Sequence, residues 1–301
     1  MARRKFHSAR ISGDGPVQTS GASTALLPWW SFTKTALAIA ALRLVEAGRL
    51  ELDAPRPGKP YSLRQLLTHR AGVPNYAGLE TYHRAVAAGE EAWSRARLLA
   101  EVGAEKLVFE PGSGWAYSNV GYMFVADAIE EASGLPLAAA LRRLALDPLG
   151  LAATHLAEGP SGFRDVHWPA LRRYDPRWVY HGCLIGPAGD AARLLHALSK
   201  GEILGPDLAS QMHERFTPMG RLLPGRPAIE AGYGMGLMIG RMGDAGRVLG
   251  HSGDGPGSVS AVWHFPGLDR PVTVAVFSEG VNVGAAECEA QAIALAEMAG
   301  S

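Results

Sequence analysis

The chain has 301 residues, 47% of them hydrophobic, with 29 basic and 29 acidic side chains, so it can bury a substantial core and carries no net charge. That balance excludes a global field for holding nucleic acid or an anionic membrane, and a small uncharged or mixed-charge ligand is the expected partner. Its two cysteines, Cys183 and Cys288, lack a CxxC spacing, which excludes a metal knuckle or redox pair and reads as two buried free thiols.

The start, MARRKFHSARISGDG, is basic but no apolar h-region follows, so it does not read as a signal peptide. The longest apolar run, Ala36 to Leu42, stops at Arg43 and is too short to span a bilayer. A cytoplasmic location with no membrane partner is the expectation. From Ser31 onward Leu37, Ala40, Ala41, Leu44 and Val45 recur at helical spacing and Gly48 supplies a stop, which predicts a buried helix over Ser31 to Ala47. Ser62 is suited to cap a short helix through LRQLLTH, and RAGVPNY after it has the Gly and Pro of a turn. Further helices are predicted at Ala92 to Val102, Val120 to Ser133, Leu137 to Leu146 and Ala188 to Lys200. Near Tyr233 the character changes. RVLGHSG, SVSAVWHF and PVTVAVFSE are short, rich in β-branched and aromatic residues, and separated by DGPG and PGLDRP, which describes an antiparallel meander. A final amphipathic helix, Ala285 to Met298, is suited to pack on it. The reading is therefore an α/β (α+β) fold, with residues 1–60 and 230–301 forming a sheet domain on which the Ser31 helix packs. Residues 61–229 form a mainly helical domain, and a ligand cleft lies between the two.

WWSFTKT, residues 29–35, puts Ser31 and Lys34, one of five lysines, on one helical face. A serine hydroxyl is protonated at neutral pH and needs a base to act as a nucleophile, and a buried amine with a lowered pKa is one such base. The helix N-terminus adds a positive dipole end that favours the neutral amine. Taken alone, the spacing equally fits a capping serine and a lysine whose ammonium reaches water. Two later stretches bear on the choice. In EPGSGWAYSNVGYMF, Tyr117 and Asn119 fall at a loop-to-helix junction, where side chains project into a cleft; in GHSGDGPGSVS, His251, Ser252 and Gly253 end a predicted strand beside glycines that admit a substrate to the backbone.

The ordered set SFTK, YSN and HSG resembles the serine β-lactamase and penicillin-recognising superfamily, in particular its class C branch with related esterases, D-aminopeptidases and D-Ala-D-Ala carboxypeptidases. The segments LRLVEAGRLELDAP, LRQLLTHRAGVPNY, FEPGSGWAYSNVGYMFVADAIEEASGLPL and GHSGDGPGSVSAVWHFP extend the resemblance from about Trp29 to the C-terminus. It implies a β-lactamase/transpeptidase-like fold, with an antiparallel sheet flanked by helices. Ser31 matches the acylated nucleophile and Lys34 its hydrogen-bonded base. Tyr117 matches the phenol that shuttles protons, as phenolate or through Lys34. Asn119 would hold Lys34 and the substrate's acylamide group. His251 stands where the family has the lysine of K-T-G and would support a substrate carboxylate or Tyr117. Ser252, Gly253 and Asp254 complete the substrate side, with the backbone N–H groups of Ser31 and Asp254 as the oxyanion hole.

Several departures qualify these expectations. HSG replaces KTG, and a histidine near pH 7 grips a carboxylate less firmly than lysine, so β-lactam hydrolysis is disfavoured against esterase or D-amino-acid peptidase-like activity. Only thirty residues precede Ser31, which predicts that one early strand is short or missing. His69 and Asn75 are expected to hold a loop, His264 to be a hydrogen-bonded strand residue, and Trp29 and Trp30 to wall the pocket or pack in the core. YGMGLMIG fails the dinucleotide spacing, no G-x-S-x-G elbow or HExxH occurs, and neither metal nor cofactor is expected. The functional expectation is a serine hydrolase acting on a small ester or amide through a Ser31 acyl-enzyme. The alternatives are a true class C-type β-lactamase or penicillin-binding carboxypeptidase, and a catalytically silent ligand-binding scaffold.

Overall fold

The computed structural model describes residues 6–214, 217–218 and 224–299, so the basic start Met1 to Lys5 lies outside the described residues. In chain order the strands are β1 (Phe6–Ser12), β2 (Gln18–Ser20), β3 (Leu27–Pro28), β4 (His155–Leu156), β5 (Leu184–Gly186), β6 (Thr217–Pro218), β7 (Ala228–Tyr233), β8 (Met238–Met242), β9 (Arg247–Gly255), β10 (Ser258–Phe265) and β11 (Val272–Glu279). The helices are α1 (Thr33–Glu46), α2 (Leu63–Leu67), α3 (Glu80–Ala87), α4 (Arg95–Glu101), α5 (Asn119–Ser133), α6 (Leu137–Leu141), α7 (Ala188–Ser199), α8 (Pro206–Met212) and α9 (Val283–Ala299).

Eight strands form an antiparallel sheet in the order β2-β1-β11-β10-β9-β8-β7-β6, and β3-β5-β4 form a small second sheet. The meander predicted at the C-terminal end is β9, β10 and β11. β10 is buried at every position because both sheet faces are covered. Val259, Ala261, Trp263 and Phe265 point into a core shared with Ala286, Ala290 and Ala294 of α9, whose four-residue spacing of small side chains lets the helix lie close to the sheet. Val262, with Ala275 and Phe277 of β11, points the other way into the main core, where α7 packs. The period of two in each strand thus divides residues between two cores.

One early strand is short, as expected: β2 has three residues, whereas β1 pairs with β11 over all seven of its own. α1 is buried from Thr33 to Leu42, which suits a helix apolar on all sides. Its body packs against α5, whereas the 3₁₀ turn before it, Trp30–Phe32, packs on β9 and β10, so the helix meets the sheet at its N-terminal end. Ser62 caps α2 as expected, and Gln65 completes a capping box. The helix predicted over Leu137 to Leu146 continues past α6 as a π-type turn, Arg142–Leu146. α3 and α8 carried no sequence prediction. Of the two cysteines only Cys183 is buried; Cys288 is exposed, because it lies on the outer side of α9. Among the described residues no helix is long and apolar enough to cross a membrane.

Candidate active site

Ser31 sits in the 3₁₀ turn, and the strand neighbours of that turn fix it. Trp29 N–H donates to the Leu184 carbonyl at 2.8 Å, Ser260 Oγ donates to the Trp29 carbonyl at 3.0 Å, and Trp30 Nε1 donates to Ser258 Oγ at 2.8 Å. Trp30 adopts φ 48°, a left-handed conformation unfavourable for a large side chain, so these bonds hold a strained backbone immediately before the serine. β9 runs against the turn without side chains between. A Cβ on Gly253 would lie 2.6 Å from the Ser31 nitrogen, and one on Gly255 would lie 2.5 Å from the Trp30 ring, so both positions require glycine.

From the first turn of α1, Lys34 Nζ donates to Ser31 Oγ at 3.1 Å and lies 3.0 Å from Nε2 of His181. The lysine is fully buried, with Nζ 5.0 Å from the centroid of Tyr117 and 5.6 Å from that of Tyr122. Burial drives its pKa well below the usual lysine range, partly opposed by Asp254. His181 is also buried and held neutral by desolvation and by Lys34. When its Nε2 accepts from Lys34 its proton is on Nδ1, which has no partner among the described residues.

Tyr117 and Asn119 come from the loop and first turn of α5. Ser118 caps that helix by accepting from Gly121 N–H at 2.9 Å. His69 Nδ1 accepts from Ser118 N–H at 3.1 Å and Asn75 Oδ1 from Asn119 N–H at 3.1 Å, so His69 and Asn75 hold this loop. Burial raises the Tyr117 hydroxyl well above the ordinary phenol range, and its hydrogen bond to Ser31 only partly offsets that. A resting phenolate is therefore costly, and Lys34 is the better proton acceptor.

Ser31, Tyr117, Asn119, Ser252 and Asp254 all line one cavity of about 560 Å³, with Trp30 on its wall. Two expected contacts are corrected. His251 does not reach the cavity: it is fully buried, its Nδ1 donates to the Ser252 carbonyl at 2.6 Å, and its Nε2 accepts from Tyr233 Oη at 2.9 Å. Burial lowers its pKa to about 3, so it is neutral and offers no cation to a carboxylate. Nor does Asn119 hold Lys34. His181 does, and Asn119 Oδ1 is buried without a partner. Gly253 makes its contribution by letting β9 approach the Ser31 amide. Trp29 is core, and His264, buried in β10, bonds Thr273 Oγ1 at 2.8 Å as expected.

Sequence reading also missed Arg226 and Glu287. Arg226 lines the cavity and forms a bidentate ion pair with the buried Glu287 of α9, which also accepts from Ser252 Oγ. Among the described residues no group of histidine, cysteine, aspartate and glutamate is arranged to hold a metal.

This constellation lies within a match to the Beta-lactamase family profile that spans residues 9–297. The chain belongs to the Beta-lactamase family. Its relatives are serine hydrolases and penicillin-binding proteins of differing activity. Penicillin-binding protein 4* of Bacillus subtilis (strain 168) is 27% identical over 291 residues, covering 85% of this chain and 61% of that protein. Esterase EstB of Burkholderia gladioli is 34% identical over 141 residues, 40% of this chain and 36% of that protein. The chain thus spans under two thirds of either relative. The D-amino acid amidase from Ochrobactrum anthropi SV3, in complex with L-phenylalanine, shares the fold of this Beta-lactamase family member at a TM-score of 0.77 and 22% identity, over 91% of this chain and 85% of that one. A penicillin-binding protein from Bacillus halodurans does so at 0.74 and 19%, over 96% of each chain.

Proposed function

We propose that this chain hydrolyses a small ester or amide through an acyl-enzyme on Ser31, with Lys34 as the base. The observation that carries the reading is the buried Lys34 amine 3.1 Å from Ser31 Oγ, because a lysine desolvated to this degree is poised to accept a proton at neutral pH. In this reading the Ser31 proton passes to Nζ as Oγ attacks the carbonyl. The Ser31 and Asp254 amides receive the developing oxyanion. Tyr117, protonated and hydrogen-bonded to Ser31, relays the proton from Lys34 to the leaving group. Water then enters, Lys34 takes one of its protons as the oxygen attacks the acyl carbon, and that proton passes to Ser31 Oγ as the bond from Oγ to the acyl carbon breaks and the acid leaves. The neutral, enclosed His251 argues for esterase or amidase activity over a carboxylate-gripping β-lactamase or carboxypeptidase. The esterase and amidase among the relatives support the same choice.

The test is intact-mass labelling with a fluorophosphonate, alongside turnover of p-nitrophenyl acetate and nitrocefin. The expected result is one adduct and saturable ester hydrolysis, both lost in Ser31→Ala. A protein that neither labels nor turns over any of these substrates would refute the reading and leave the silent scaffold.

A further inference from the structure

The cavity at Ser31 has a charge pattern that names a substrate class. Resting on the hydrolase reading above, the geometry points to an acyl group that carries a free ammonium, bound between the Asp254 carboxylate and Asn119 Oδ1.

Three observations carry this. The first is the count of charges on the wall. Arg226 is occupied by the carboxylate of Glu287, so that pair is neutral as a unit. Lys34 and His181 face the site in forms that burial drives toward neutrality, and His83, also on the wall, donates Nε2–H to the Ala77 carbonyl at 2.7 Å. Asp254 is exposed, lines the cavity and has no side-chain hydrogen bond or ion pair among the described residues, although its field reaches Lys34, Tyr117 and Arg226. Among the described residues one negative charge is left without a matched counterion, and it lines the same cavity as Ser31.

The second is the orphan acceptor. Asn119 Oδ1 is buried without a partner and belongs to the same wall. A carbonyl oxygen of this kind is satisfied by an N–H donor from the ligand. Two acceptors on a wall where, among the described residues, Arg226 and His83 already donate within the protein fit an ammonium and repel a carboxylate.

The third is a cost that only a cation removes. The main-chain N–H of Asp254 is one of the two proposed oxyanion donors, so its own carboxylate stands close to where negative charge develops in the transition state. For a neutral acyl group this proximity opposes acylation. An ammonium between the carboxylate and the reacting carbonyl screens that repulsion, and the benefit appears in the transition state more than on binding. Asp254 thus acts as a specificity-determining residue through its side chain.

The test uses isosteric acyl donors, alanine p-nitroanilide in both enantiomers against isobutyryl p-nitroanilide, which differ by an ammonium in place of a methyl. The full chain is expected to favour an ammonium substrate at least tenfold in kcat/KM, less so at high salt. Asp254→Asn is expected to bring the ratio near one while raising turnover of the isobutyryl compound, and Asp254→Glu to keep most of the preference. Fluorophosphonate labelling of Ser31 reports whether each variant is folded. A wild-type ratio near one, or a ratio that survives Asp254→Asn in a labelled protein, overturns the inference and leaves the hydrolase reading standing. Absence of labelling and of Ser31-dependent turnover for every substrate overturns both.

Discussion

His181→Leu is the most informative single change at this site. It removes both ring nitrogens while keeping most of the side-chain volume, so no water-sized space opens beside Lys34. In the native site Nζ gives one hydrogen to His181 Nε2 at 3.0 Å and one to Ser31 Oγ at 3.1 Å; in the proposed reaction only the second contact reverses, so that the lone pair of the neutral amine takes the Ser31 proton. A hydrogen bond to a charged group contributes about 1.5 to 3 kcal/mol. Losing it when Lys34 becomes an ammonium in the transition state should lower kcat roughly ten- to a hundredfold, with KM little changed. The pH profile separates this role from simple loosening. His181 accepts from the ammonium and so favours the charged form; without it the already depressed Lys34 pKa falls further. In the proposed mechanism Lys34 acts as the neutral amine, so the acid limb of kcat moves to lower pH while the plateau drops. His181→Gln, which keeps an acceptor, should recover part of both. Stopped-flow acylation by an activated ester across pH measures them directly. A folded His181→Leu protein with native kcat and an unmoved acid limb would refute the argument.

Two further changes probe the frame of the site. In Gly255→Ala the new Cβ would meet the Trp30 ring at 2.5 Å, so either β9 or the indole bonded to Ser258 must shift. Overpacking of this kind costs about 1 to 3 kcal/mol, and both the melting temperature and the rate of Ser31 labelling should fall; native values for both would show that the contact is soft. The buried histidines set an acid sensitivity. His264 titrates near 4 in the folded chain against 6.5 when exposed, and His251 near 3. The unfolded chain therefore binds more protons below about pH 6.5, and stability falls as the pH drops through that window, by at most about 1.4 kcal/mol per pH unit for each histidine. Urea midpoints at pH 7 and pH 5 should differ accordingly, and His264→Gln should flatten the difference; identical midpoints in the native chain would count against it.

What the sequence made legible was local. The strands β9 to β11, the capped α2 and the Ser31–Lys34 pair depend on periods of two, on a cap, or on residues one helical turn apart, all of which are written in neighbouring positions. His181 was not legible, because it lies 147 residues from Lys34 and no spacing rule joins them. The pairing of β3 with β5, which carries Leu184 beneath Trp29, and the hydrogen bond from Leu184 N–H to Thr33 Oγ1 bring the YHGC stretch under the amine. Arg226 and Glu287 are likewise joined across 61 residues by the docking of α9. A buried polar atom without its expected partner is the signal that would have directed attention to such residues, and that signal exists only in three dimensions.

His251 shows the same limit from the other side. Its position in HSG was plain in the sequence, yet its chemistry is set by Tyr233, which ends β7, two strands away in the sheet. With Nε2 accepting from that hydroxyl and Nδ1 donating to the Ser252 carbonyl, both nitrogens are satisfied only in the neutral form. Protonation would turn Nε2 into a donor aimed at Tyr233 Oη, which would then have to reverse its own bond inside a desolvated core. A lysine here would bring a charge to the substrate; this histidine brings packing, and it leaves the electrostatics of the cavity to Lys34 and Asp254. The motif therefore marks where β9 meets the turn of Ser31, while in the proposed reading the sign of the charge at that meeting is decided by the residue after the glycine.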